Sequence, residues 1–409
     1  MSPYLPRFAA RLLQRALAAA PVVVLMGARQ TGKSTLARTE DFLADRLYLT
    51  LDDPGTHERA RRAAPDLVRS AERLTLDEVQ REPDLLLAVK RVVDEDRPRR
   101  NGRFVLTGSA NLLLMQRVSE TLAGRAAYVN LWPLCRRERL GRGTPGLWSD
   151  LLATPVADWP DVLESREEAP ADWRNETRAS GYPTPAVELD SDDARSLWFD
   201  GYVRTYLERD LQSLASVGNL VDFRRLMRVA SHRLGGLINH ADIGRDLQMP
   251  RTTVQRHLNL LETSFQLVRL PPYSVNRSKR LVKSPKLYWS DPALALWLSG
   301  ADSVSGEHLE NLVLADLLVW RDGQAPAPNV LFWRTTTDRE VDFVVEAGER
   351  LLAVEVKAAA TPGLADTRGL RLFRQEYPER FAGGLLLHGG RDTQWMAEGI
   401  LAAPWWRVV

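Results

Sequence analysis

Eight consecutive residues constrain this chain more than any others: Gly27-Ala28-Arg29-Gln30-Thr31-Gly32-Lys33-Ser34. An apolar run at 22–26 leads into them and a helical pattern at 33–39 leads out. They fit G-x-x-x-x-G-K-[ST] in full, the spacing of a phosphate-cradling loop. The glycines let the backbone curl until its N–H groups point at phosphate oxygens. Lys33 is placed to reach the β- and γ-phosphates, and the Ser34 hydroxyl to hold Mg²⁺. The helix that starts there adds the positive end of its dipole. The reading assigns Gly27, Ala28, Arg29, Gln30, Thr31, Gly32, Lys33, Ser34 and Thr35 to a bound nucleotide, ATP before other triphosphates.

A loop of this kind needs a parallel sheet, and the flanking sequence supplies the strands. Apolar runs fall at 22–26, 47–51, 73–77, 104–107 and 127–131, with helical stretches such as 33–39 and 84–96 between them. Strands alternating with helices predict a parallel sheet covered on both faces. Arg73-Leu74-Thr75-Leu76-Asp77-Glu78 ends a strand in two acids. Asp77 is expected beside Ser34 on Mg²⁺, and Glu78 as the base that polarises the attacking water. Thr107 or Ser109, at the end of the next strand, is a candidate to position that water. Arg125 is a candidate for the γ-phosphate, with Arg117 as its rival.

Composition limits the rest. The 409 residues suggest roughly two to four domains, and the 44% hydrophobic content lets each bury a core. Formal net charge is +2, so nucleic-acid binding must rest on local patches. Only six of the 55 basic residues are lysines, which makes each lysine worth asking about. The single cysteine, Cys135, excludes an internal disulfide and a cysteine-rich metal site. No run approaches the ~20 apolar residues of a membrane span, and the expected location is cytoplasmic.

Two further patterns lie downstream. His240–Leu247, a turn at Gln248-Met249-Pro250, and Arg251–Leu261 read as a helix-turn-helix, with Phe265–Leu270 as a following strand, as in a winged helix. In a DNA-binding version the second helix enters the major groove. Its outward residues Arg251, Thr252, Gln255, Arg256 and Asn259 would then face the duplex. Lys279 and Arg280, in the basic run 276–286, would add phosphate contacts. A packing module between two larger domains is the alternative. Nearer the C-terminus, Glu310 on a helix, Asp342 on a strand and Glu355-Val356-Lys357 on the next strand resemble the PD-(D/E)xK nuclease core. There Glu310, Asp342 and Glu355 would bind Mg²⁺ through oxygen and Lys357 would orient or deprotonate water. A fold-keeping scaffold without catalysis is the alternative.

GARQTGKSTL, LTLDEVQ, FVLTGSAN and LAGRAAYVNLWPL resemble the corresponding stretches of a bacterial and archaeal group of AAA-type P-loop ATPases. The resemblance continues through GYPTP (181–185), YVRTYLERDL (202–211), SPKLYWSD (284–291) and FWRTTTDREVDF (332–343). It implies ATP binding and hydrolysis, followed by a largely uncharacterised C-terminal domain. The expected architecture is α/β. A P-loop NTPase domain with a parallel sheet occupies 1–140 and a connector 141–192. A helical, winged-helix-like region occupies 193–275, and a restriction-endonuclease-like α/β module 276–409. Two functions stand open: an ATPase with a DNA-contacting and potentially nucleolytic C-terminal half, or a nucleotide-dependent switch that binds a protein partner through an inactive scaffold. A ring-forming oligomer is compatible with both.

Overall fold

Strand β1, Val22–Met26, is apolar on both faces, and that decides where it lies. Val22, Val24 and Met26 enter one core while Val23 and Leu25 enter another. Each such fully buried side chain is worth roughly 1.5–3 kcal/mol, so the strand belongs inside a covered sheet. The computed structural model describes all residues except 1–3, 97, 109–119, 167, 209–219, 277–279 and 281–283. In it, β1 joins β2 (Leu47–Thr50), β3 (Leu74–Asp77), β4 (Phe104–Thr107) and β5 (Ala126–Asn130). The order is β2-β3-β4-β1-β5, parallel throughout. The helix Leu85–Glu95 covers one face and the helix Ala9–Ala19 the other. The expected strands and helices of this region stand where the sequence put them, to within a residue or so at their ends.

Residues 141–192 behave differently from a connector. They form short helices, as expected, but Trp148, Trp159 and Trp173 are buried in the same core as the C-terminal helices and sheet. Trp148 Nε1 donates to Asp316 at 2.5 Å and the Leu147 N–H donates to the Val408 carbonyl at 2.9 Å. The segment is thus built into the C-terminal body. Its irregular sequence reflects short helices punctuated by proline, not an exposed linker.

The helix-turn-helix is present, as His240–Leu247 and Arg251–Thr263. Gly244 lets the two approach, since a Cβ there would lie 2.7 Å from the Met249 carbonyl oxygen. Ile243, Leu247, Val254, Leu258 and Leu261 form the buried face. Strands β6 (Leu267–Leu270) and β7 (Lys286–Trp289) follow as an antiparallel ribbon. The long helix Gly306–Asp322 then backs a mixed sheet of β8 (Asn329–Arg334), β9 (Glu340–Ala347), β10 (Arg350–Lys357), β11 (Phe381–His388), β12 (Gln394–Ala397) and β13 (Ile400–Pro404). Its order is β12-β13-β11-β10-β9-β8. Strands β8, β12 and β13 were not anticipated from the sequence. Among the described residues, no helix is long and apolar enough to cross a membrane.

Candidate nucleotide site

The phosphate loop leaves the carboxyl end of β1 and enters the helix Lys33–Thr39. Its curl is set by left-handed or otherwise positive φ at Gly27 (153°), Gln30 (64°) and Gly32 (92°). Gly27 has a second reason to be glycine: a Cβ there would lie 2.2 Å from the Leu131 carbonyl oxygen. Thr31 Oγ1 donates to the Ala28 carbonyl at 2.9 Å and braces the turn. Lys33 is buried, and its Nζ donates to the carbonyls of Gly27 (3.1 Å) and Ala28 (2.6 Å). Burial lowers its pKa to about 8, while Glu78 and Asp77 pull it back up. Ser34 is half-buried and Thr35 exposed at the helix start.

Sheet order brings the acids to this loop. Strand β4 lies between β1 and β3, so Thr107 and Asp77 end side by side next to the loop strand. The Thr107 hydroxyl donates to Asp77 Oδ1 and the Tyr48 hydroxyl to Asp77 Oδ2. Thr107 is wholly buried and its hydroxyl is engaged with Asp77, so it fixes the orientation of that carboxylate. Tyr48, on β2, was not singled out in the sequence. Burial, together with its bond to Asp77, raises its pKa. Glu78 adopts φ 59°, ψ 38° and bonds Gln80. A non-glycine residue held in that region is uncommon and costs roughly 1–3 kcal/mol. Burial raises the Glu78 pKa, which moves a carboxylate toward the range of a useful base.

Oxygen donors are what Mg²⁺ prefers, and the Ser34 hydroxyl with the doubly braced Asp77 carboxylate is such a set. Ser34 and Asp77 would hold the ion, which would there supply charge neutralisation and Lewis-acid polarisation of the terminal phosphoryl group. The chain itself holds Asp77 between the Thr107 and Tyr48 hydroxyls and keeps Lys33 at the loop.

Two elements behind the loop were also missed. Arg7, buried before the first helix, donates to the carbonyls of Thr31 (2.8 Å) and Trp132 (2.6 Å) and pairs with Glu138. Tyr202 places its hydroxyl 3.4 Å from the Arg29 carbonyl oxygen and 3.2 Å from the Tyr182 hydroxyl. Gln266, just after the helix-turn-helix, donates to Tyr202 at 2.9 Å and accepts from Tyr182 at 3.1 Å. A buried polar relay therefore joins the phosphate loop to Gln266, the residue just before the ribbon.

Other expected residues sit elsewhere. Arg125 lies at the amino-terminal edge of the parallel sheet, where its carbonyl accepts from the Val22 N–H. The loop leaves the opposite edge, roughly 15 Å away at ~3.3 Å per residue. Arg125 pairs instead with Asp94 at 2.5 Å, so it does not serve the loop of its own chain. Ser109 and Arg117 lie outside the described residues.

On the helix-turn-helix, Arg251, Thr252, Gln255, Arg256 and Asn259 are all exposed. Burial, then the nearby Arg269 and Arg251, lower the pKa of His240. Arg280 departs from the expectation. It is buried and bonded to both Glu346 oxygens (2.6 and 3.1 Å), with its Nε on the Ser274 carbonyl. That side chain pins the chain to β9 and is not available to a phosphate. Lys279 lies outside the described residues.

The C-terminal carboxylates do converge. Asp342 Oδ2 accepts from the Val356 N–H at 2.9 Å, and Lys357 Nζ meets Glu355 Oε1 at 2.5 Å. Burial first, then Asp342, push the Glu310 pKa up to about 8 and raise that of Glu355. Yet among the described residues no three such side chains are arranged to hold a metal ion. Two of the three expected ligands, Glu310 and Asp342, pair with Lys286, and the third, Glu355, pairs with Lys357. The Lys286 Nζ lies 3.3 Å from Asp342 and 3.9 Å from Glu310, and it pairs with Glu340.

Residues 19–140 match the family described as an AAA domain. Residues 171–305 and 305–408 match two domains of unknown function, DUF8612 and DUF4143. The uncharacterized proteins Rv2008c of Mycobacterium tuberculosis and Mb2031c of Mycobacterium bovis are each 33% identical over 370 residues, which is 88% of this chain and 75% of the relative. Among solved structures, the Walker-type ATPase of Pyrococcus abyssi aligns with TM-score 0.40 at 17% identity, over 73% of this chain and 98% of that one. A STAND protein of Pyrococcus horikoshii aligns with TM-score 0.25 at 13% identity, over 79% and 48%. With the loop, the acids behind it and the AAA match in agreement, the chain belongs to the family of these mycobacterial proteins and is a P-loop ATPase of the AAA type.

Proposed function

We propose that ATP hydrolysis at the phosphate loop controls contact between the helix Arg251–Thr263 and duplex DNA. The observation that carries this is the helix itself. Its apolar side is buried, while Arg251, Thr252, Gln255, Arg256 and Asn259 face solvent. Arginine, glutamine and asparagine side chains suit base edges, and arginines suit phosphates. The relay from Arg29 through Tyr202 to Gln266 supports coupling, because it ties the end of this helix to the nucleotide loop. In this reading the C-terminal sheet is a scaffold, and the nuclease reading is set aside.

The test is duplex binding by fluorescence anisotropy across a salt series, with ATP analogue or ADP bound. Affinity should fall steeply with salt, and Arg251→Ala and Arg256→Ala should each reduce the slope by about 1. The two nucleotide states should differ in affinity. A flat salt response would sink the DNA reading and favour a switch that binds a protein partner.

A further inference from the structure

Lys286 is one of only six lysines in the chain, and it is almost completely buried, at 3% side-chain exposure. A buried ammonium must be compensated. Here three carboxylates surround it: Asp342 at 3.3 Å, Glu310 at 3.9 Å, and Glu340. The Phe332 ring completes the shell, its centroid 5.8 Å from Nζ.

The backbone delivers this lysine with little freedom. Lys286 opens β7, where it pairs with Leu270 on one side and forms a bridge to Leu237 on the other. The Gly235-Gly236 turn clamps the same stretch: the Gly235 N–H donates to the Leu287 carbonyl and the Leu287 N–H to the Gly236 carbonyl. Tyr288, two residues along on the same face, donates to Glu310 Oε2 at 3.0 Å. Asp342 gives its second oxygen to the Val356 N–H. Glu355 Oε1 is taken by Lys357, and only its Oε2 is a buried carboxylate oxygen without a hydrogen-bond partner in this set.

A divalent cation in such a set would need two or more of these oxygens at roughly 2.0–2.6 Å. It would sit against an ammonium already 3.3 Å from Asp342 and 3.9 Å from Glu310, on the Glu310 oxygen that Tyr288 also holds. We propose that Lys286 is a tethered counter-ion that takes the place of a divalent cation, so that the nuclease-like cluster of Glu310, Asp342 and Glu355 is a closed, metal-free core. The inference stands apart from DNA contact, which rests on another helix. Among the described residues it leaves metal-dependent hydrolysis to the phosphate loop.

Mn²⁺ binding to the full-length, nucleotide-free protein, read by electron paramagnetic resonance and calorimetry, tests it. Wild-type protein should show no Mn²⁺ site below about 1 mM that Asp342→Asn removes. Lys286→Met keeps the stem and deletes the charge. It should gain one Mn²⁺ per chain, and that gain should vanish in the Lys286→Met, Asp342→Asn double variant. Mn²⁺ binding by wild-type protein that is lost in Asp342→Asn overturns the proposal. So does a folded Lys286→Met variant that gains no site. If Lys286→Met does not fold, the wild-type and Asp342→Asn comparison still decides.

Discussion

Replacing Thr107 with valine keeps the shape of the side chain and removes one hydroxyl. Thr107 is wholly buried and Asp77 is 3% exposed, so water cannot substitute for the lost donor. A hydrogen bond to a charged group is worth ~1.5–3 kcal/mol. If the whole amount falls on holding Asp77 in its metal-binding pose, it corresponds to about a 10- to 150-fold loss, at 1.36 kcal/mol per decade. The structure says where the loss appears. Because the hydroxyl is directed at Asp77, Thr107→Val should raise the Mg²⁺ concentration for half-maximal hydrolysis, leaving kcat at saturating Mg²⁺ close to wild type. Phosphate release at saturating ATP across a Mg²⁺ titration measures both, with a melting curve to confirm folding. A drop in kcat with unchanged Mg²⁺ dependence would refute the reasoning and return Thr107 to the role of water positioner.

Arg280→Ala strands the buried Glu346, which Asn329 and Arg380 only partly compensate. The cost should be about 2–4 kcal/mol in urea unfolding, with duplex affinity unchanged; weakened DNA binding in a stable variant would contradict the placement of this side chain. Arg125→Ala removes a half-exposed pair with Asp94, so the melting curve should barely move and hydrolysis per chain should change by less than about twofold. A tenfold loss that depends on protein concentration would instead place Arg125 at a neighbouring copy's nucleotide. Asp316 is raised from 3.8 to about 6 by burial, against hydrogen bonds from Trp148 and Gly146. A raised acid stabilises the fold fully below its unfolded value and loses that contribution as pH rises through the folded value. Wild-type protein should therefore lose about 2 kcal/mol relative to Asp316→Asn between pH 4 and 7; a pH-independent difference between the two would defeat the assignment.

What the sequence disclosed was local. The phosphate loop is contiguous, and its strand and helix adjoin it, so Gly27 to Ser34 could be placed from spacing alone. Asp77 was recognisable because an acid closing an apolar run marks a strand end. The position of Arg125 was also readable in principle. An arginine just before a parallel strand stands at the edge opposite a loop that follows one. What stayed hidden depends on partners far along the chain. Nothing near Lys286 announces Glu310, Glu340 and Asp342, and nothing near Arg280 announces Glu346. Tyr48 and Arg7 likewise act on residues 29 and 24 positions away. The scarcity of lysine was the one signal that pointed toward Lys286.

The burial of Trp148, Trp159 and Trp173 bears on how this protein is made. Leu147 bonds the carbonyl of Val408, and Arg136 reaches the carbonyl of Val409. A ribosome delivers Leu147 and Arg136 roughly 260–270 residues before those partners. At ~5–20 residues per second, the nascent chain carries three large indoles without their native cover for roughly 10–50 seconds. The nucleotide sheet, whose strands all lie before residue 131, has its own contacts by then. Synthesis should thus pass through a stage with a formed ATPase sheet and an unclosed apolar segment behind it. Ribosome-bound chains halted between residues 200 and 400 should recruit chaperones there.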